Sequence, residues 1–321
     1  MKQQILQMLC ESDDYLSGEE LSRRLNVSRT AVWKHISALR QEGYRIDSVT
    51  NKGYRLLQKP DRLSAEWLQR GSRRFVGTAV EVADQVDSTN EALKRRAAAG
   101  EPAGLLITAE EQTGGKGRFG RKWASRRGDG VYFSFLLRPD LPPESIASIT
   151  LAAGFGVCCA VREYTGLDAR IKWPNDVIIG RRKLCGILTE MTAQSDRLDY
   201  VVVGIGINVN QERFPEDVQQ KATSLRLETG RRWDRNDFLL SVLQKLDEVM
   251  ERYLISLSVD DMNAFKSLCA TLGREVSVQR GKETLTGTAV DITPEGNVVV
   301  RCADGKEREI NSGEVSVQGL Y

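Results

Sequence analysis

Apolar residues recur at helical spacing through the first 43 residues. Three apolar stripes are present, formed by Ile5, Leu6, Met8 and Leu9, by Leu21 and Leu25, and by Val32, Ile36 and Leu39. Ser17 and Ser28 stand where helix N-caps are expected, and Glu20 completes the pattern of a capping box with Ser17. The second and third helices are predicted to end at Asn26 and Gly43. Two helices joined by so short a turn predict a helix-turn-helix.

Residues 44–57 are strand-like on both sides of a turn sequence. They predict a hairpin with its turn at Asn51-Lys52-Gly53. A helix-turn-helix followed by a hairpin is a winged helix, so an N-terminal winged helix-turn-helix domain is predicted for residues 1–60. Lys59-Pro60-Asp61 is predicted to be a linker.

Beyond the linker, strand and helix patterns are mixed. Strands are predicted at 103–111 and 130–139, and a buried strand with glycines at its end is predicted at 199–210. A long apolar helix is predicted at 145–164, and 171–191 predicts a hairpin that turns near Gly180. These features predict an α+β multidomain protein with a central α/β mixed-sheet domain at 63–270. Short strands separated by turns predict a small β-barrel-like domain at 271–321.

Composition places the chain among globular proteins. Its 321 residues are 40% apolar and 28% charged, with a net charge of +2. That length suggests two or three domains, and any nucleic-acid surface must be local. No apolar run approaches the roughly 20 residues of a membrane helix, and the N-terminus lacks a signal-peptide pattern. Six cysteines without CxxC spacing indicate reduced thiols in a cytoplasmic protein.

The chain has a single histidine, His35, near its N-terminus. A Ser-His-Asp triad, a Cys-His pair or a multi-His zinc site in the large region is therefore excluded. Chemistry there must rest on Lys, Arg, Asp, Asn and backbone amides.

Positive charge is concentrated near the N-terminus. Between Arg23 and Lys59 only Glu42 and Asp47 oppose the basic residues, which are Arg23, Arg24, Arg29, Lys34, Arg40, Arg45, Lys52, Arg55 and Lys59. This excess suits phosphates. The predicted DNA-binding residues start the third helix or lie in the hairpin: Ser28, Arg29, Thr30, Lys34, Lys52 and Arg55. The alternative is a winged helix used for protein contacts.

The segment 112–123 is rich in glycine and positive charge. It reads Gln-Thr-Gly-Gly-Lys-Gly-Arg-Phe-Gly-Arg-Lys-Trp and contains no acid. Glycines allow a backbone to approach a ligand closely, and successive N–H groups can form an anion-binding nest. Such a loop suits a ligand that carries both phosphate and carboxylate. The alternative is a mobile basic loop with no ligand. The segment is neither a Walker A loop nor a Rossmann fingerprint.

A second segment, Lys172-Trp173-Pro174-Asn175-Asp176, presents short polar side chains at a strand end. Proline fixes the backbone there and favours an extended Trp173. Asp176 could orient Mg²⁺ beside a nucleotide, since that ion prefers carboxylate and phosphate oxygens. A plain Asn-Asp turn is the alternative.

Three further segments carry candidate polar groups. Lys183 stands alone in an apolar strand, either as a site residue or as a solvated charge on an edge strand. The glycines of 204–210 permit close ligand approach, with Asn208 at the strand's tip. Residues 86–90 offer hydroxyls for a ureido or amide group, although Ser88 could equally be a helix N-cap.

These segments together resemble one family. GGKGRFGRKW, KWPND, RKLCGILTE, GIGINVN and DSTN occur here in the order and spacing of biotin–protein ligases. The resemblance covers about residues 63–321. With the winged helix it extends to the bifunctional bacterial ligase and biotin operon repressor family. That family's loop usually reads GRGRRG, whereas Lys116 and Phe119 stand at two of its arginine positions here. Lys116 keeps the charge without the planar fork, and Phe119 loses the charge.

The resemblance implies a fold and a reaction. It implies an SH3-like β-barrel at 271–321 and a ligase catalytic domain at 63–270. Biotin carboxylate would attack the α-phosphate of ATP to give biotinyl-5′-AMP, and a lysine of a biotin carboxyl carrier protein domain would then attack the anhydride. Two anions meet in the first step, which requires dense positive charge, with Mg²⁺ contributing.

The resemblance also implies the residues that act. The implied catalytic residues are Lys183, which balances charge, Arg118, which holds the biotin carboxylate and then the adenylate, and Asp176, which holds metal or helps deprotonate the acceptor lysine. The implied biotin-binding residues are Ser88, Thr89, Asn90, Gln112, Gly115, Lys116, Gly117, Arg118, Lys183 and Gly186. The implied ATP- and adenylate-binding residues are Arg118, Arg121, Asn175, Asp176, Lys183, Gly206 and Asn208.

The resemblance further implies regulation. The expected partners are the carrier domain, operator DNA of biotin synthesis and uptake genes, and a second copy of the chain once adenylate is bound; no membrane is expected. Three other interpretations remain open. They are a ligase without regulation, a regulator that only senses biotin, and a lipoate-type ligase of related fold. The loop and KWPND favour biotin over lipoate.

Overall fold

The computed structural model describes residues 1–194, 197–255, 258–280, 283–311 and 313–321. These residues form two compact units, Met1–Asp61 and Arg62–Tyr321. The boundary falls at the end of the segment that the sequence predicts to be a linker.

Three helices and a hairpin make up the first unit. Its elements are α1 Lys2–Glu11, α2 Gly18–Leu25, α3 Arg29–Gln41, β1 Arg45–Val49 and β2 Gly53–Gln58. The Ser17 hydroxyl accepts from the Glu20 N–H, while the Glu20 carboxylate pairs with Arg24 at 2.7 Å. Asn26 adopts the left-handed conformation that ends α2, as predicted. β1 and β2 pair antiparallel, which confirms the hairpin.

A seven-stranded mixed sheet is the centre of the second unit. Its strands are β3 Ala79–Val86, β4 Leu105–Gln112, β5 Gly130–Leu137, β6 Ala169–Lys172, β7 Asp176–Ile179, β8 Arg182–Gln194 and β9 Arg197–Asn208. The order is β3-β4-β5-β9-β8-β7-β6. β3 and β4 are parallel, and the other pairs are antiparallel. The three predicted strands and the hairpin that turns near Gly180 are confirmed.

The second unit also contains helices, most of which contact strands of this sheet. They are α4 Ala65–Leu68, α5 Thr89–Ala98, α6 Ile146–Thr165, α7 Leu225–Thr229, α8 Arg235–Ile255 and α9 Val259–Leu268. The predicted apolar helix is α6, and it packs against α8. The segment Pro143–Thr165 has a mean hydropathy of 1.6 and could cross a membrane by length and composition alone. The expectation that no apolar stretch reaches that length is therefore wrong. However, 61% of its most apolar window is buried, as in a core helix.

A second, smaller sheet follows. Its strands are β10 Glu275–Arg280, β11 Glu283–Ile292, β12 Val298–Cys302, β13 Glu307–Ile310 and β14 Glu314–Val317. They form an antiparallel sheet in the order β13-β12-β11-β10-β14, and the described residues do not close it into a barrel. Val276, Val298 and Ile310 belong to the same apolar core as the large sheet. The small sheet is therefore fixed against the rest of the unit.

Candidate active site

One large cavity, of about 1370 Å³, opens in the second unit. Its wall includes all fifteen residues that the sequence analysis assigns to biotin, ATP or catalysis: Ser88, Thr89, Asn90, Gln112, Gly115, Lys116, Gly117, Arg118, Arg121, Asn175, Asp176, Lys183, Gly186, Gly206 and Asn208. These residues come from several segments far apart in the sequence. The fold therefore brings the separate motifs to one place.

The glycine-rich segment forms the loop between β4 and β5. A single 3-10 turn at Arg118–Gly120 places Phe119 in the left-handed region, and the Phe119 side chain is 64% exposed. The Lys116 ammonium lies 2.7 Å from the Glu91 carboxylate on α5. Lys116 therefore reaches the cavity wall with its charge already paired.

The Arg118 guanidinium forms hydrogen bonds from this loop to two other segments. It donates to the Asn175 side-chain oxygen at 3.0 Å and to the Gly313 carbonyl at 2.9 Å. Burial lowers its pKa, and the nearby Asp176 carboxylate opposes that effect. Neither partner of Arg118 is a carboxylate. The guanidinium is thus placed to receive an anionic ligand.

Asp176 and Lys183 form an ion pair in the cavity wall. Asp176 begins β7 and Lys183 lies near the start of β8, so the antiparallel pairing of the two strands brings them together. The Lys183 ammonium is 2.6 Å from one Asp176 oxygen, and both side chains are mostly buried. Lys183 pairs here with one carboxylate and borders a wide cavity. Its ammonium can therefore also contact an anion bound in that cavity.

Hydroxyl and amide groups line another part of the wall. The Thr89 N–H donates to the Gln112 side-chain oxygen at 2.8 Å, and the Gln112 amide donates to Ser125 at 2.8 Å. The Ser134 hydroxyl donates to the Asn90 side-chain oxygen at 2.6 Å. Ser88 occupies the N-cap position of α5, but its side chain makes no capping hydrogen bond. These linked groups offer donors and acceptors to a neutral polar ligand.

The Trp123 indole lies against the glycine backbone of β8 and β9. A Cβ on Gly206 would be 2.4 Å from the indole nitrogen, and one on Gly186 would be 3.0 Å from the ring. Glycine is therefore required at both positions, because a side chain would collide with the indole. The sequence analysis instead explains the glycines of 204–210 by close approach of a ligand. The indole N–H has no hydrogen-bond partner among the described residues.

Asn208 is held within the protein framework. Its amide donates to the Thr223 carbonyl at 3.0 Å, and its oxygen accepts from Gln211 at 3.1 Å. Its side chain is nearly fully buried. Asn208 therefore shapes the wall by fixing the segment that follows β9.

Lys172 and Tyr321 are among the wall residues to which sequence reasoning gives no role. Lys172 belongs to the KWPND motif, and a lysine at the end of an apolar strand is a signal that the sequence offers. The Tyr321 hydroxyl donates to Asp176. It is 145 positions away along the chain, and no local pattern connects the two residues.

The first unit presents the predicted DNA-binding residues on α3 and the hairpin. Ser28, Arg29, Thr30 and Lys34 are exposed at the start of α3. The Ser28 hydroxyl also caps that helix by accepting from the Ala31 N–H. In the hairpin, Lys52 and Arg55 lie 6.0 and 5.1 Å from the centroid of the Tyr15 ring.

Metal ligands are sparse in the second unit. No group of three or more His, Cys, Asp or Glu side chains suited to a metal ion occurs among the residues that the structure describes. Asp176 is the predicted metal-binding carboxylate, and it already pairs with Lys183. The donor set fits an ion that arrives with phosphate oxygens better than a resident protein-bound metal.

Family models define the class of protein. The Biotin/lipoate A/B protein ligase family matches residues 82–208, an HTH domain matches residues 2–55, and the Biotin protein ligase C terminal domain matches residues 271–318. The Aquifex aeolicus biotin protein ligase, solved in complex with biotin and ATP, superposes with a TM-score of 0.65 at 35% identity. The match covers 74% of this chain and 98% of that chain.

Relatives that span nearly the whole chain narrow the class. The Bacillus subtilis bifunctional ligase/repressor BirA is 36% identical over 296 residues, which are 91% of each chain. The Escherichia coli bifunctional ligase/repressor BirA is 30% identical over 311 residues, 97% of this chain and 95% of the relative. The chain therefore belongs to the biotin protein ligase family, among its bifunctional ligase/repressor members.

Proposed function

We propose that this chain is an ATP-dependent biotin–protein ligase and a biotinyl-AMP-dependent transcriptional repressor. As a ligase it would join biotin and ATP into biotinyl-5′-AMP and pass the biotin to a lysine of biotin carboxyl carrier protein. The observation that carries the ligase half is the meeting of all fifteen predicted site residues around one cavity.

The Asp176–Lys183 pair and Arg118 are proposed as the catalytic group. Lys183 would balance the charge that develops when the biotin carboxylate approaches the α-phosphate, because two anions repel in that step. Arg118 would hold the carboxylate and then the adenylate. Asp176 would help deprotonate the acceptor lysine. The contact of Arg118 with the Asn175 side chain supports this assignment of roles, since it keeps the Arg118 guanidinium next to the Asp176–Lys183 pair.

The two ends of the cavity are proposed to bind different parts of the adenylate. The hydrogen-bonded groups of Ser88, Thr89, Asn90 and Gln112 would bind the biotin ring, with Gly115, Lys116, Gly117 and Gly186 around it. Arg121, Asn175, Gly206 and Asn208 would lie near the nucleotide. Lys116 and Asn208 would act mainly through their protein partners Glu91 and Gln211.

Mg²⁺ is proposed to accompany the nucleotide. Asp176 would supply one carboxylate oxygen and the phosphates the others. When bound, the ion would neutralise phosphate charge. The position of Asp176 in the cavity wall supports this role, since an ion that arrives with phosphate oxygens needs few protein ligands.

The first unit is proposed to bind operator DNA of biotin synthesis and uptake genes. Exposed Arg29, Thr30 and Lys34 at the start of α3 suit base edges, and Lys52 and Arg55 in the hairpin suit phosphates. One winged helix buries too little surface for tight binding, so an adenylate-bound homodimer is proposed. The chain would act in the cytoplasm.

Three domains are proposed within the two units. They are a winged helix at 1–60, a ligase domain at 63–270 and an SH3-like β-barrel at 271–321. Support for the last division is the separate antiparallel sheet β10–β14.

ATP-dependent transfer of biotin to a purified biotin-acceptor domain tests the ligase function. Labelling of the acceptor lysine should require both biotin and ATP, and lipoate in place of biotin should give none. Labelling with lipoate alone would replace the proposal with a lipoate ligase. Binding of biotin without any transfer would leave only a biotin-sensing regulator.

A further inference from the structure

Tyr321 contacts the carboxylate of the Asp176–Lys183 ion pair. One Asp176 oxygen is 2.6 Å from the Lys183 ammonium, and the other accepts a hydrogen bond from the Tyr321 hydroxyl. Each carboxylate oxygen therefore has its own partner. Rotation of the Asp176 carboxylate would break both contacts. Tyr321 therefore fixes the orientation of the Asp176 carboxylate in the cavity wall.

The ring of Tyr321 holds a second cation. The Lys172 ammonium lies 3.8 Å from the ring centroid, and the residue is only 6% exposed. Burial lowers the pKa of Lys172, and the Asp176 carboxylate opposes that effect. No carboxylate lies within ion-pair distance of Lys172 in the part of the chain that the structure describes. A cation over an aromatic face is stabilised most where water is excluded.

The neighbouring strand of the small sheet reinforces this arrangement. Glu314, at the start of β14, pairs with Arg121, and the Gly313 carbonyl accepts from Arg118. Residues 313–321 thus contact three proposed site residues, Arg118, Arg121 and Asp176.

We infer that Tyr321 is a positioning residue for adenylate formation. Its hydroxyl holds Asp176 so that Lys183 stays directed into the cavity. Its ring keeps the Lys172 ammonium at the cavity wall, near the Asp176–Lys183 pair that is proposed to act on the α-phosphate. The inference rests on the proposed ligase function and adds to its machinery a residue that follows the last strand of the small sheet.

Tyr321→Phe tests the hydroxyl alone, because the ring over Lys172 is retained. ATP–pyrophosphate exchange dependent on biotin should show kcat lowered on the order of 10-fold, as for loss of one hydrogen bond to a charged group. KM for biotin should stay within about 2-fold, since the biotin ring contacts other residues. Tyr321→Leu also removes the ring, and KM for ATP should then rise on the order of 10-fold.

Tyr253→Phe is the matched control. Tyr253 also bonds through its hydroxyl, to Ser148, and that pair lies outside the cavity. This variant should leave kcat and both KM values unchanged. An equal loss of kcat in both phenylalanine variants would show a general packing effect and overturn the inference.

A double-mutant cycle separates positioning from other roles. In an Asp176→Asn background, removal of the Tyr321 hydroxyl should cost little more, because the hydroxyl acts through Asp176. Affinity for a non-hydrolysable biotinyl-adenylate analogue provides the readout if exchange is too slow. Additive losses would overturn the inference. Absence of exchange in the wild-type chain would instead reject the ligase function itself. If the wild type is active and the Tyr321→Phe variant has the same kcat, only the role of Tyr321 is rejected.

Discussion

At the scale of single residues, the Asp176–Lys183 pair is the most informative feature. Lys183→Met keeps the length and apolar stem of the side chain and removes the charge. Adenylate formation should fall on the order of 10²–10³-fold, because a charged contact to the developing anion is lost. Biotin-dependent pyrophosphate release measures the effect.

The control for this change lies one residue earlier. Arg182→Met removes a cation that pairs with Glu228 at 2.7 Å, and Arg182 does not line the cavity. It should release pyrophosphate at the normal rate. Near-normal release by folded Lys183→Met would show that the charge balance was assigned to the wrong residue.

Arg118 should control retention of the intermediate. Arg118→Gly removes both the Asn175 and the Gly313 contacts from a loop already rich in glycine. The reactive adenylate should then escape and label bystander lysines, which mass spectrometry of a mixture containing a non-acceptor protein would detect. Arg127→Gly, in the same loop but paired with Asp84, should label only the acceptor. Tight adenylate retention by Arg118→Gly would contradict this role.

The sequence predicts that Lys183 and Arg118 lie together at one cavity, because a local pattern marks each of them. Lys183 follows Arg182 into an otherwise apolar strand, and Arg118 lies in a glycine-rich basic loop. Tyr321 carries no such mark, because its place depends on how residues 313–321 pair and pack. The same is true of Glu91, which becomes the partner of Lys116 only when α5 meets the loop.

At the scale of secondary-structure elements, a buried ion pair joins several segments. Arg235 at the start of α8 donates to Glu110 on β4 at 2.8 Å, and both side chains are almost wholly buried. The other Glu110 oxygen accepts from the Leu63 N–H, and Arg235 also donates to the Gly130 carbonyl. The pair thus connects α8, two strands of the large sheet and the start of the second unit.

Arg235→Met should destabilise the second unit strongly. It leaves the Glu110 carboxylate buried without its cation, at a cost of roughly 3–5 kcal/mol. Urea denaturation should show the midpoint fall with little change in slope. Arg301→Met breaks the exposed pair with Glu307 and should cost less than about 1 kcal/mol. An equal loss of unfolding free energy in the two variants would show that the buried Arg235–Glu110 pair stabilises the protein no more than an exposed pair.

Elements with strong periodicity are predictable, and edge elements are less so. The apolar spacing of α6 and the buried runs of β5 and β9 predict them directly. The sequence analysis does not predict the edge strand β3, although Val80 and Val82 alternate with exposed Ala79 and Glu81, because the strand has no fully buried residue. It also passes over α8, although Phe238, Val242 and Leu246 repeat at helical spacing. The open order of the small sheet depends on strand pairing that local pattern does not specify.

At the scale of the whole molecule, ligand binding and DNA binding are expected to be coupled through dimerisation. Loop 114–127 carries six positive charges and no negative ones: Lys116, Arg118, Arg121, Lys122, Arg126 and Arg127. Four of these cations have protein partners in the structure, at Glu91, at Asn175, at Glu314 and at Asp84. A bound adenylate would compete for Arg118 and Arg121 and reorder the loop, which would then offer a fixed surface to a second subunit.

Adenylate should therefore increase both dimer mass and operator affinity. Sedimentation and operator binding with biotin plus ATP, compared with neither, should show both changes, and operator DNA should tighten dimerisation by the same factor. Consumption of the adenylate by added acceptor domain should reverse them. If mass and DNA affinity do not respond to adenylate, a ligase without regulation is the correct description.

The contacts of residues 313–321 with Arg118, Arg121 and Asp176 have a consequence for genetics. A nonsense mutation directly after β13 would spare β10 to β13 and still remove part of the cavity wall. Such alleles should resemble active-site mutants, with a biotin requirement that additional gene dosage relieves only weakly. Codons beyond 312 should therefore tolerate missense changes on the outer face of β14 far better than premature stops.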